Sequence, residues 1–243
     1  GHKISLLSSI YEIVSFQVVD LWPEPCIKIV FINFSFQISI FHGSGHKSTS
    51  WNETISHMED NRDILCPDLS TILNGKEACY KNLYSSFKEY CNNNDGQINL
   101  CGISLGGILA LHYTLDFPDK VKSLVLIGTP HKIPRVIFGI QNIIFRLLPR
   151  SMFENMAFNK KDTFILGNSM RALDFSDSIN SIKCPTLLIC GKKDRANIKS
   201  AYYFHQNIQN AKLEIIENTG HVVNEENPLL LAQILNKYYN ETK

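Results

Sequence analysis

Near the middle of the chain, Gln97-Ile98-Asn99-Leu100-Cys101 runs into Gly102-Ile103-Ser104-Leu105-Gly106-Gly107 and then into Ile108-Leu109-Ala110-Leu111-His112-Tyr113. An apolar, β-leaning run enters, a helix-forming run leaves, and a serine stands in the turn between. A strand can reverse into a helix this tightly only if the flanks of the turn lack side chains that would collide. Gly102 and Gly106 meet that demand, and Gly107 lets the helix pack against the strand. The residue at the tip takes a strained backbone and projects its side chain clear of the sheet. The helix N-terminus behind it sets backbone N–H groups where a developing oxyanion would sit. A glycine-rich turn with an incidental serine would read the same way, so the surrounding chain has to decide whether Ser104 is a nucleophile.

That chain alternates. Ile13–Val19 and Ile27–Phe41 are β-rich, and the second ends in His42-Gly43-Ser44-Gly45-His46. Trp51–Ile55 begins a short helix, Arg62–Asp68 is a strand ending in a loop, and Gly75–Cys91 has the spacing of an amphipathic helix, with Cys79, Leu83, Phe87 and Cys91 on one face. After the serine turn come a strand at Val121–Ile127, a buried strand at Thr186–Cys190, a helix over Ile198–Asn207, a strand at Leu213–Ile216 and a helix over Asn227–Tyr239. Strands alternating with helices predict an α/β fold, a mostly parallel, doubly wound sheet with helices on both faces. In such sheets reactive groups gather at the carboxyl ends of the strands. Ser104, Asp194 and His221 each stand just past one.

Residues 131–182 break the alternation. Ile133, Val136, Ile137, Ile140, Ile143, Ile144, Leu147 and Leu148 predict an apolar helix, and no strand pattern follows. The expected division is a core of residues 1–130 and 183–243 with a helical cap, 131–182, inserted over the active edge of the sheet. The apolar stripe serves as cap core first and as pocket wall second.

Composition narrows the function. The formal charge of +1 is interspersed along the chain, so no field favours nucleic acid or an anionic membrane. No apolar run is long enough to span a bilayer, because Ile27–Phe41 is interrupted by Lys28, Asn33 and Gln37. The first residues lack a basic region and an uninterrupted apolar region of the leader type. Seven cysteines without C-x-x-C spacing fit reduced, mostly buried thiols. A cytoplasmic location is the expectation.

The motifs resemble the α/β-hydrolase fold over about residues 38–240. His42-Gly43-Ser44 is similar to the family's oxyanion loop, Gly102-Ile103-Ser104-Leu105-Gly106 to its nucleophile elbow, Gly191-Lys192-Lys193-Asp194 to its acid loop and Gly220-His221 to its histidine loop. The chain order Ser, Asp, His is the one that fold uses. Pro67–Gly75 departs from the glycine-rich loop many relatives carry after the fourth strand. The first 37 residues also lack the family's usual turn-rich hairpin.

The resemblance implies a catalytic triad of Ser104, Asp194 and His221, with backbone N–H groups of Ser44 and Leu105 as the oxyanion hole. A serine hydroxyl needs a base at neutral pH, an imidazole can take and return a proton there, and a carboxylate fixes its tautomer. Asp68, Asp174 and Asp177 rival Asp194 as the acid. His42 and His46 have a spacing that could mimic metal ligands, but no carboxylate or thiol partner accompanies them, so neither metal nor cofactor is expected. His42 is read as a structural member of its loop, and Cys101 as strand packing. The expected activity is a serine hydrolase acting on a small-molecule ester or thioester. C–C bond hydrolysis, acyl transfer, cofactor-free peroxidation and non-catalytic ligand binding use the same framework. Oligomeric state is not readable.

Overall fold

The computed structural model describes residues 36–59, 62–94, 96–133, 149–154 and 156–242. The expected strand at Ile13–Val19, the first part of Ile27–Phe41 and nearly all of the apolar helix at 133–148 lie outside the described residues.

Six strands form one parallel sheet: β1 (Phe36–Phe41), β2 (Arg62–Leu65), β3 (Ile98–Ile103), β4 (Val121–Ile127), β5 (Thr186–Gly191) and β6 (Ala211–Ile216), in the spatial order β2-β1-β3-β4-β5-β6. The helices are α1 (Asn52–Ser56), α2 (Leu69–Leu73), α3 (Tyr80–Asn92), α4 (Leu105–Asp116), α5 (Lys160–Ser169), α6 (Ile198–Asn207), α7 (Val223–Glu226) and α8 (Pro228–Glu241).

The double winding follows from side-chain alternation. All six residues of β3 are buried. Ile98 and Leu100 pack with Leu83 and Phe87 of α3 and Leu109 and Tyr113 of α4, whereas Cys101 and Ile103 pack on the other face with Leu231, Leu235 and Tyr239 of α8. A strand buried at every position needs cover on both faces, and helices on either side of the sheet supply it. The edge strand β6 instead alternates between half-buried and exposed residues until its buried last one, Ile216.

Two differences from the sequence reading have local causes. The helix expected from Gly75 begins at Tyr80, because Asn74 (φ 52°, ψ 49°) and Gly75 (φ 73°) occupy the left-handed region and terminate the short helix α2. In the inserted stretch, segments 131–133 and 173–175 pair antiparallel: Phe175 N–H donates to the His131 carbonyl at 2.9 Å and Ile133 N–H to the Leu173 carbonyl at 3.1 Å. The described residues between them hold a 3₁₀ turn at Arg150–Phe153 and α5. Among the described residues no helix is long and apolar enough to cross a membrane.

One buried cation ties the sheet edge to the terminal helix. The Arg62 side chain is fully buried at the start of β2. Its Nη1 donates to the Asn236 side-chain oxygen, and its Nη2 donates to the Asn236 carbonyl at 3.1 Å and the Asn240 side chain at 2.8 Å. The Glu59 carboxylate balances the charge at 3.2 Å. Arg62→Ala should therefore strand these partners and lower the unfolding free energy by about 1–3 kcal/mol, the usual effect of leaving hydrogen-bonding groups without their donor. Urea denaturation checks this; a loss under about 1 kcal/mol, the range of exposed pairs, would show that the cluster is not desolvated.

Candidate active site

The serine turn is as tight as its glycines imply. Ser104 has φ 53° and ψ −112°, a conformation strained for a residue with a side chain. Its N–H donates to the Ile127 carbonyl and its carbonyl accepts from Ile108 N–H, both at 2.9 Å, which pins the turn to β4 and α4. A methyl on Gly106 would lie 2.6 Å from the Phe41 carbonyl carbon and 2.8 Å from Phe41 Cβ. The helix can seat against β1 only without it. Leu105 is the first residue of α4, so its N–H has no acceptor within the helix.

The loop after β1 comes to the same place. A methyl on Gly43 would sit 3.6 Å from Ser104 Cβ. His42, wholly buried, donates from Nδ1 to the Gly43 carbonyl at 2.7 Å and accepts at Nε2 from Leu69 N–H at 2.9 Å. These two bonds fix its tautomer, and burial holds its pKa below the ordinary imidazole value. Both ring nitrogens are thus committed to the loop after β1 and the start of α2. His46 Nε2 faces Glu225 at 3.6 Å.

Asp194 follows β5 and His221 follows β6. His221 Nδ1 lies 2.7 Å from Asp194 Oδ2, and the carboxylate is 3% exposed against 40% for the imidazole. Room for the pair comes from Gly128 at the end of β4 (φ 50°), where a methyl would come within 3.1 Å of His221 Nδ1 and 3.2 Å of Asp194 Oδ2. Burial works to raise the Asp194 pKa. The hydrogen bond and charge of His221, with the side-chain amide and N–H of Asn197, outweigh it and leave the carboxyl below its ordinary value.

A cavity of about 180 Å³ is lined by Gly43, Ser44, Gly45, His46, Ile103, Ser104, His221 and Val222. Of the residues expected from sequence, Ser104, His221 and Ser44 line this cavity, Asp194 supports His221 from behind, and Leu105 begins the helix beneath. The rivals for the acid lie elsewhere. Asp68 Oδ1 accepts from Ser48 N–H at 2.6 Å and is 3.5 Å from His42, and Asp174 accepts from Ser176 N–H at 3.0 Å. Cys101 is fully buried behind the elbow, and burial pushes its thiol pKa up, so it is a packing group.

Two residues that the sequence reading did not single out hold this site. Glu226 accepts from Gly220 N–H at 2.6 Å and Val222 N–H at 3.2 Å, bracketing His221. Asn197 donates from Nδ2 to both Asp194 oxygens. Each lies a few residues past its loop, a spacing that only the turn's shape makes meaningful.

Comparison with known proteins identifies the fold that carries this site. A family model described as alpha/beta hydrolase fold matches residues 92–148. The chain has the α/β-hydrolase fold. It is 20% identical to mouse "Monoacylglycerol lipase ABHD6" over 82% of this chain and 74% of that protein. It is 22% identical to the Bacillus subtilis "Putative 2-succinyl-6-hydroxy-2,4-cyclohexadiene-1-carboxylate synthase" over 85% of this chain and 91% of that one. The solved structure of MenH from S. aureus superposes with a TM-score of 0.71 at 18% identity, covering 86% of this chain and 95% of that one.

A carboxyl whose pKa is depressed in the α/β-hydrolase fold adds stability above its unfolded pKa and loses it as pH falls through the folded value. The stability advantage of the wild type over Asp194→Asn should therefore shrink as pH drops from about 5 to about 2. Urea midpoints across that range measure it, and a constant gap would mean that Asp194 carries no stabilised charge.

Proposed function

We propose that this chain is a serine hydrolase that cleaves a small carboxylic ester or thioester through an acyl-serine intermediate on Ser104. The observation that carries this reading is a strained serine sharing one small cavity with an imidazole whose far nitrogen is held 2.7 Å from a buried carboxylate. In this reading His221 Nε2 takes the Ser104 proton as Oγ attacks the carbonyl carbon. The negative charge that develops on the carbonyl oxygen is met by the N–H groups of Leu105 and Ser44, each worth about 3 kcal/mol in the transition state. His221 then gives its proton to the leaving alcohol or thiol, and water repeats the sequence to release the acid. Asp194 keeps the proton on Nδ1, leaving Nε2 as the base. His42 supports the hole by fixing the Gly43 carbonyl and so orienting the peptide that carries the Ser44 N–H.

In this reading residues 131–182 are the helical cap inserted in the hydrolase core. The mouse relative is named for an ester, a monoacylglycerol, which belongs to the proposed substrate class. The Bacillus relative is named a synthase, so product analysis accompanies each assay.

A fluorophosphonate probe should label Ser104 and leave Ser104→Ala unlabelled, with turnover of p-nitrophenyl esters lowered by a factor on the order of 10⁶ in that variant. Asp194→Asn should lower it by about 10⁴, because the amide favours the wrong tautomer. Label on another residue, or Ser104→Ala retaining about a hundredth of the activity, would move the chemistry elsewhere.

The cavity size sets a second expectation. A volume of about 180 Å³ corresponds to about six water volumes, room for a short acyl chain. The kcat/KM for p-nitrophenyl esters should climb two- to fourfold, roughly, with each added carbon while methylenes are being buried, then fall once the cavity is full. A flat series from acetate to octanoate would show that the acyl group lies outside the cavity.

A further inference from the structure

The Asp194 carboxylate is nearly sealed from water, and a buried charge survives there only against a fixed set of donors. Its contacts supply that set. His221 Nδ1 is 2.7 Å from Oδ2, Asn197 Nδ2 is 3.0 Å from Oδ1 and 2.9 Å from Oδ2, and Asn197 N–H is 3.2 Å from Oδ1. An ionised carboxylate only accepts, so the Asn197 side chain must turn its nitrogen, not its oxygen, toward it. The same Nδ2 is 3.2 Å from His221 Nδ1. With the imidazole proton on Nδ1 both nitrogens are donors, so they do not bond each other. They compete for one oxygen, Oδ2.

We propose that Asn197 is a positioning residue that acts on His221 through Asp194: its side-chain amide takes a share of the negative charge on Oδ2. The inference rests on the reading of Asp194 and His221 as acid and base. Two effects of such an amide differ in sign. Holding Asp194 in place strengthens its grip on the imidazolium, whereas drawing charge from Oδ2 weakens it. The backbone N–H of residue 197 and the lack of space around Gly128 already constrain the carboxylate. Charge sharing is therefore the effect that the side chain adds.

The groups facing His221 are few. Asp194 and Asn197 reach it from the loop between β5 and α6, Ser104 from the elbow, and Gly128 from the end of β4. On its own loop, Glu226 is bound to the N–H groups of Gly220 and Val222, and Glu225 faces His46.

The test is an NMR titration of the His221 Cε1–H signal in a Ser104→Ala background, with Asn197→Leu and Asn197→Asp added separately. Loss of the donor in Asn197→Leu should move the titration midpoint up by about 0.5–1 unit, and the added carboxylate in Asn197→Asp should move it further in the same direction. An unchanged or lowered midpoint in Asn197→Leu overturns the proposal, a lowered one meaning that the amide only holds Asp194 in place. If Asn197→Leu does not fold, Asn197→Ala, which removes the same donor without adding charge, decides by the same criterion. Because this background has no nucleophile, the result does not depend on turnover. A raised midpoint alongside a parent inactive on every ester leaves the role of Asn197 standing and removes the hydrolase reading. An active parent with an unmoved titration removes the Asn197 proposal alone.

Discussion

The elbow depends on a close approach of α4 to the sheet. Backbone meets backbone where Gly102 faces Gly106, and Gly106 in turn sits against Phe41 at the end of β1. A single methyl at either place would push the helix off the sheet. The strain at Ser104, on the order of 1–3 kcal/mol for such a conformation, is tolerable because the residue is tied on both sides. β4 holds its N–H and α4 its carbonyl. The central strands, buried on both faces, supply the rigidity against which that strain is held.

The second organising fact is a division of exposure within one hydrogen-bonded pair. The carboxylate of Asp194 is buried while the imidazole of His221 borders a cavity. A charge hidden behind the ring is less screened by water and acts strongly on the groups hydrogen-bonded to it, His221 and Asn197. The same separation explains why both loops need glycine. A methyl on Gly191 would lie 2.7 Å from the Thr219 carbonyl carbon, and one on Gly220 would lie 2.8 Å from the Glu226 carboxylate. The acid and histidine loops pack as one unit.

What could be read in advance depended on how local the cause was. β4 and α6 fall within the expected limits, Val121–Ile127 and Ile198–Asn207, because periodicity and flanking breakers lie in the segment itself. The elbow was legible for the same reason. The start of α3 was not: Gly75 looked like the opening of a helix, and the left-handed Asn74–Gly75 pair makes it the close of another. The short helices α2 and α7 escaped periodicity altogether, being four or five residues long. Asp194 could be ranked above Asp68 and Asp174 only by resemblance, and it is distance that separates them. Asn197 and Glu226 are ordinary polar residues in a linear chain; their partners are defined by how a loop turns back on itself.

The antiparallel contact between segments 131–133 and 173–175 has an evolutionary consequence. It brings the two ends of a long excursion together beside the sheet, so β4 and β5 pair without regard to what lies between. Chain-closure entropy rises only logarithmically with the number of residues enclosed. Changes of length between residues 133 and 173 therefore cost the pairing of β4 with β5 little entropy. A lineage can lengthen or shorten that excursion while the strands on either side keep their register.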